Sequence, residues 1–315
     1  MFELIKSNTN IDFIGKSKLY YIISSLLVIV GLILIFTKGF NYGVDFSGGT
    51  SIQVTFEKPV DIDKMRNTLS KVVDGSLSIQ SIGGDNTFRI KVEQKSENDD
   101  LNKISDSISA SLSSQFTESG KLTIDSVEQV GPQVGKDLKR QALMAVLYAV
   151  IGILIYVAIR FELLSASASI IALIHDIILT LGIIVLLGIT FDLTVLAALL
   201  TVVGYSLNDK IVIFDRIRER ARMDEHIPLI QSMNISINET LSRTILTSTS
   251  TLLAVLALAI FGGEVIRGFA IVMIVGIIIG TYSSIGIASS LVYSFKMSKK
   301  GKSSRNAVKS NTAKA

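Results

Sequence analysis

The 315-residue chain is 49% hydrophobic and 18% charged, below the roughly 25% charge of an ordinary soluble domain. The deficit is uneven: residues 37–138 hold 11 basic and 15 acidic residues, the usual soluble density, while all other positions together hold 20 basic and 12 acidic. One soluble domain therefore sits inside a mostly apolar chain, which excludes a plain cytosolic enzyme. With no cysteine there is no disulfide framework, thiolate nucleophile or Cys-ligated metal. His175 and His226 are the only histidines, so a His-rich zinc site is excluded too. The net charge of +4 divides into −4 for 37–138 and +8 elsewhere. A basic excess beside apolar segments reads first as membrane topology and only second as nucleic-acid binding, and no nucleic-acid partner is expected.

Six apolar segments, 19–36, 141–159, 163–187, 191–213, 244–262 and 268–295, can each cross about 30 Å of hydrocarbon at about 1.5 Å per residue. The first reads as a retained span, because Lys16 and Lys18 precede an apolar run with no small-x-small cleavage site after it. Basic residues set the orientation. Lys6, Lys16, Lys18, Arg160, Arg216, Arg218, Arg220, Arg222 and the seven Lys/Arg of the tail fall on one side, against Arg267 alone in the short loops of the other. The expected organisation is a cytoplasmic N-terminus (1–18), a first span (19–36) and an extracytoplasmic domain (37–138). Five spans follow over 139–295, with a cytoplasmic amphipathic segment at 214–243, and then a basic cytoplasmic tail (296–315). The fold class is a polytopic α-helical membrane protein with six transmembrane helices and one small α+β domain.

Within 37–138, Thr50, Ile52, Val54 and Phe56 alternate with Ser51, Gln53 and Thr55, a half-buried strand. Ile62, Met65, Leu69 and Val72 follow at helical spacing. Short strands at 77–82 and 87–92 flank the turn signal Gly83-Gly84-Asp85-Asn86. Leu101, Ile104, Ile108, Leu112 and Phe116 mark a second amphipathic helix, and a last strand runs over 121–130. The order βαββαβ predicts a ferredoxin-like split fold.

Charge inside a bilayer costs about 2.5–3.5 kcal/mol at a helix centre, so the intramembrane charges need an explanation. Asp176 lies near mid-membrane in the third span, beside His175, which points about 100° away on a helix, so the two are not a ready pair. A helix–helix hydrogen bond and proton carriage are both open to Asp176. Asp209 lies 18 residues from the outer start of its span and Arg243 is 19 residues from the outer end of the next. Both fall roughly 27–29 Å below the outer boundary, so they can pair, either as a titrating acid gated by an arginine or as a static ion pair. The hydroxyl-rich start of the fifth span (Thr244, Thr247, Ser248, Thr249, Ser250, Thr251) and the Gly276-Ile-Ile-Ile-Gly280 step in the sixth suit interhelical bonding and close packing. The Arg-rich stretch after the fourth span suits a helix leaving the membrane along its surface.

Four motifs carry a resemblance. Gly43-Val-Asp45-Phe46-Ser-Gly48-Gly49 is similar to the DF-x-GG motif of the SecD/SecF family, and Val130-Gly-Pro-Gln-Val-Gly135 to its VGPxVG segment. Gly204-Tyr-Ser-Leu-Asn208-Asp209-Lys-Ile-Val-Ile-Phe-Asp215-Arg216-Ile-Arg218-Glu219 resembles the signature of the SecF branch, and Leu241-Ser-Arg243-Thr-Ile-Leu-Thr-Ser its fifth-helix motif. The resemblance implies a bacterial plasma-membrane protein of the RND superfamily. With SecD it would use the proton-motive force to complete translocation of preproteins, working beside the SecYEG translocon, with YajC as a further partner, on unfolded preprotein. It carries proton coupling onto Asp209 and Arg243, and implies no enzymatic activity and no cofactor. Lys210 departs from the pattern, which commonly has Thr there; it could pair with Asp209, compete with Arg243 or snorkel to the interface. Asp45 reads as architectural, and Gly48 and Gly49 as turn residues. No GxxxxGK[ST] nucleotide loop is present. The alternatives are an RND-type exporter of lipids or small molecules, a passive scaffold, and an intramembrane aspartyl protease. The protease needs two facing acids, whereas Asp176 and Asp209 are expected to be offset by roughly 10 Å in depth.

Overall fold

The protein is described from a computed structural model, over residues 9–73, 77–82, 85–92, 101–223 and 226–299. Lys6, the Gly83-Gly84 half of the turn and residues 300–315 of the tail lie outside the described residues. The chain divides into two compact units: Tyr42–Ala145 with Phe191–Leu193, and Met1–Asn41 with Val146–Thr190 and Thr194–Ala315.

The first long helix is α1 (Ser17–Lys38), ending at Gly39, whose φ of +67° no β-carbon would favour. In the smaller unit, a single turn α2 (Val44–Ser47) leads into β1 (Gly49–Phe56), followed by α3 (Ile62–Leu69), β2 (Leu77–Ser81), β3 (Thr87–Val92), α4 (Leu101–Gln115) and β4 (Leu122–Val130). The four strands form an antiparallel sheet in the order β2-β3-β1-β4, the split arrangement that the βαββαβ order predicts. α2 is an element the periodicity did not show, since one turn is shorter than any apolar repeat.

Two physical choices fix this unit. Asp61 accepts hydrogen bonds from the Asp63 and Lys64 amides and so caps α3, a contribution of about 1 kcal/mol. One sheet face then buries Ile52, Val54, Phe56, Phe88 and Ile90 against Met65 and Leu69 of α3 and Ile108 and Leu112 of α4, each large side chain contributing about 1.5–3 kcal/mol. The expected half-buried alternation of β1 is replaced by burial of nearly every residue, Ser51 and Gln53 included. β1 is a central strand, and its polar face is covered by its neighbours: Gln53 Oε1 accepts from Arg89 of β3 at 3.4 Å, and its amide donates to Asp125 of β4 at 3.4 Å. Asp125 sits at a bulge in the β1–β4 register.

The larger unit is built from α1, α5 (Pro132–Arg160) from Val146 onward, α6 (Leu163–Leu187), α7 (Leu193–Met223) from Thr194 onward, α8 (Leu229–Phe261) and α9 (Gly263–Tyr282). α9 continues through a π-helical turn, Ser283–Ala288, within an apolar span of Ile266–Lys299. Among the described residues six helices are long and apolar enough to cross a membrane. α6 stops at Gly188 in the left-handed region, with the Ile189 amide bonding back to the Ile184 carbonyl.

Helix bounds run past the apolar segments at several ends. The Arg-rich stretch is the unbroken continuation of α7 to Met223, and α8 begins at Leu229, so among the described residues 214–243 consists of the end of one long helix and the start of the next. Several charged residues here have partners on neighbouring helices or one turn away on α7. Arg160 pairs with Asp215, Arg216 with Glu239 and Glu219 at 2.6 Å each, and Arg220 with Glu239 at 3.0 Å.

Candidate functional site

Among the buried residues of α7, Val195, Ala198, Leu199, Val202, Ser206, Asp209, Lys210, Ile213 and Ile217 recur with a period near 3.6, and Val203, Leu207 and Phe214 widen the same face to about half the helix. Three polar residues therefore lie on the face turned into the bundle. What lets them meet other helices is small residues on α9. A β-carbon at Gly276 would fall 2.3 Å from Val202 Cγ2, and one at Gly280 would fall 2.9 Å from Ser206 Cβ. The two helices run side by side in matched steps of four, and the next step sets Ser284 against Lys210. This is the partner of the GxxxG spacing that the sequence left unassigned.

Lys210 is fully buried, its ammonium 2.9 Å from Asp176 Oδ2, 2.5 Å from Ser206 Oγ and 3.4 Å from Ser284 Oγ. It neither pairs with Asp209 nor snorkels. Ser206 donates to the same Asp176 oxygen at 2.6 Å, and His175 Nδ1 holds the other carboxylate oxygen at 2.9 Å. The expectation that His175 and Asp176 are no pair is thus corrected. Adjacent side chains leave a helix about 100° apart, but their ends can still bend together where both are buried and His175 has the Asp176 carboxylate to hold. Ser206 also places Asp176 only three residues from Asp209 along α7, about 4.5 Å of rise. The depth offset of roughly 10 Å is therefore too large, yet among the described residues Asp176 is engaged by Lys210 and not by Asp209.

Asp209 is buried at 2% exposure, and its Oδ2 has no hydrogen-bond partner. Thr281 of α9, bonded to Ser248 of α8 at 2.8 Å, faces this carboxyl, and Arg243 and Lys210 are the cations that act on it. No ion pair joins Asp209 to Arg243 among the described residues. Arg243 is exposed, while its neighbour Thr244 and then Ser248 point into the bundle. Equal depth fixed the height of the two groups and left the direction of Arg243 around its helix undetermined.

The other motif residues take structural positions. Asp45 Oδ2 accepts from the Leu193 amide at 3.0 Å, capping the start of α7. Phe46 packs on Phe191 with centroids 6.0 Å apart. Gly48 has φ +71° and lies so near Pro132 that a β-carbon would come within 3.1 Å of its Cα, and Gly49 has φ +118°. Thus the two glycine-bearing motifs meet at one close backbone crossing. Asp215 and Arg216 belong to the ion pairs at the end of α7 described above, and Asn208 is exposed. Sequence reading missed Ser206 and Ser284. The signals available were the i,i+4 spacing of Ser206 and Lys210 and the Gly276, Gly280, Ser284 ladder. Among the described residues no cluster of three or more His, Asp or Glu could hold a metal.

Two family models match: the SecD/SecF protein export membrane protein, C-terminal, over residues 92–298, and the SecD/SecF GG motif over residues 33–60. The protein translocase subunit SecF of Calditerrivibrio nitroreducens is 54% identical over 300 residues, covering 95% of this chain and 98% of the relative. That of Pseudomonas aeruginosa is 43% identical, covering 89% of each. The crystal structure of SecDF from Thermus thermophilus, a translocon-associated membrane protein, superposes with a TM-score of 0.80 at 38% identity over 92% of this chain. This chain spans 39% of that one. The chain belongs to the SecD/SecF protein-export family and is a multi-pass membrane protein.

Proposed function

We propose that this chain is the SecF-type subunit of the Sec export machinery, acting with SecD beside the SecYEG translocon. It uses the proton-motive force to finish moving unfolded preprotein across a bacterial plasma membrane. Both termini and the Arg/Glu-paired end of α7 face the cytoplasm, and the sheet-bearing unit faces outward, as the distribution of basic residues requires. SecD supplies the second half: the solved SecDF chain that this one resembles is more than twice as long, and RND-type transporters pair two such halves.

The observation that carries the coupling role is the state of Asp209. It is a buried carboxyl with one oxygen unpartnered, on an inward stripe, with no ion pair to it among the described residues. Asp176, by contrast, has a lysine within 2.9 Å. A group that must take up and release a proton suits the first environment, whereas the second holds its charge balance permanently. Arg243, exposed on α8, is the mobile partner that tracks the charge of Asp209. The test is export into inverted vesicles containing this subunit with SecD. Asp209→Asn should insert and assemble normally while export becomes indifferent to an uncoupler at saturating ATP. Normal gradient-stimulated export by that variant would remove Asp209 from the coupling.

A further inference from the structure

The three groups bonded to the Lys210 ammonium are all acceptors. Ser206 commits its only hydroxyl hydrogen to Asp176 Oδ2, and Ser284 commits its own to the Gly280 carbonyl at 2.7 Å. Both hydroxyls therefore turn lone pairs toward Nζ, and the third ligand is a carboxylate oxygen. A water in that position could donate to only two of these three acceptors. The cage is built for a positive charge.

The cage is held from three helices. His175 fixes the far carboxylate oxygen from α6, Ser206 comes from α7, and Ser284 lies in the π turn of the last span. In this π turn the Ser284 carbonyl accepts from Ser289 Oγ at 3.0 Å. A single carboxylate and two hydroxyls match one unit of charge; a divalent ion needs more carboxylate.

We propose that the Asp176–Ser206–Ser284 cage is an alkali-cation site that Lys210 fills with a tethered ammonium, making Lys210 the residue that closes the bundle to sodium. This deepens the coupling reading: with the cage permanently occupied, Asp209 is left as the buried acid free to exchange its charge. The site itself is read from geometry and is testable whether or not Asp209 carries protons.

The experiment compares thermal unfolding of the purified full chain in sodium chloride and in choline chloride at equal ionic strength. In Lys210→Ser and Lys210→Ala the cage is empty. Their melting temperature should rise by roughly 5 °C across a hundredfold range of sodium, with no response to choline. The unmodified protein should respond to neither salt. Asp176→Asn/Lys210→Ala removes the carboxylate as well and should show no sodium response. If the single variants are recovered folded only when sodium is present throughout purification, the proposal stands. Loss of fold in both salts, equal melting in both, or a sodium response that survives in the double variant would each overturn it. Failure of Asp209→Asn to alter coupling leaves these outcomes unchanged, so the two readings fail separately.

Discussion

Gly280→Ala should cost far more stability than its size suggests, and the reason is on the opposing helix. The added methyl would sit 2.9 Å from both Cβ and Oγ of Ser206 and 3.4 Å from its Cα. Ser206 cannot rotate aside, because Oγ donates to Asp176 at 2.6 Å and accepts from Lys210 at 2.5 Å. Either α9 moves away from α7 or the bonds to two charged groups break. Overpacking costs about 1–3 kcal/mol and a lost hydrogen bond to a charged group about 1.5–3 kcal/mol. Helix propensity returns up to about 1 kcal/mol for Gly to Ala, which leaves a net loss of up to about 2 kcal/mol from either cost alone and more if both apply. Internal controls are available at Gly152 in α5 and Gly204 in α7, where a β-carbon would meet nothing within 4 Å. Those alanines should be neutral or slightly stabilising. Melting of the purified chain followed by circular dichroism should place Gly280→Ala roughly 5 °C or more below the controls. Equal melting of all three would refute the claim that α7 and α9 are held at this distance by the absence of side chains.

Two further outcomes are expected. Asp45→Ala should lose the cap on α7, about 1 kcal/mol, and speed hydrogen exchange of the Leu193 amide, whereas Asp45→Asn, which keeps an acceptor, should retain most protection; equal exchange in both would remove the capping role. Asp12 accepts from the Gly15 amide at 2.8 Å and from the Asn234 side chain at 2.7 Å, and these bonds hold its pKa below the usual 3.8. Its contribution is therefore complete above that value and is lost as pH falls through the lowered one. Proteolysis of the segment before α1 should accelerate only in that acid range, and Asp12→Asn should abolish the pH step; a step near neutral pH would contradict this.

How much of this was legible in the sequence depends on what each element needs from its surroundings. The inner strands and the two helices of the small unit show their periods because the apolar face of each packs on a local core. Thr50, Ile52, Val54 and Phe56 were readable for that reason. The burial of Gln53 was not, because it depends on Arg89 and Asp125 arriving from the flanking strands. In the same way α7 reads as ending where its apolar residues give way to arginine. It continues as a helix whose Arg216 and Arg220 meet Glu239 of α8 and whose Asp215 meets Arg160 of α5, and those partners are defined only once the helices are packed.

The site shows the same division more sharply. Residue counting along a membrane helix gives height, since each residue adds about 1.5 Å, and height alone brings Asp209 and Arg243 level. Direction around the axis follows from which face packs, and packing is decided by neighbours. On α8 the inward face passes through Thr244 and Ser248, which leaves Arg243 outside. On α7 the inward face takes both Asp209 and Lys210, which are adjacent in sequence but serve different neighbours. Lys210 extends along the stripe to Ser206 and across to Asp176, so the cation nearest Asp209 in sequence is the one engaged elsewhere. The glycine ladder on α9 was the one azimuthal signal in the sequence. Read together with Ser206 and Lys210 at the same spacing, it points to Ser284, and through Ser284 to the charge that the bundle keeps fixed.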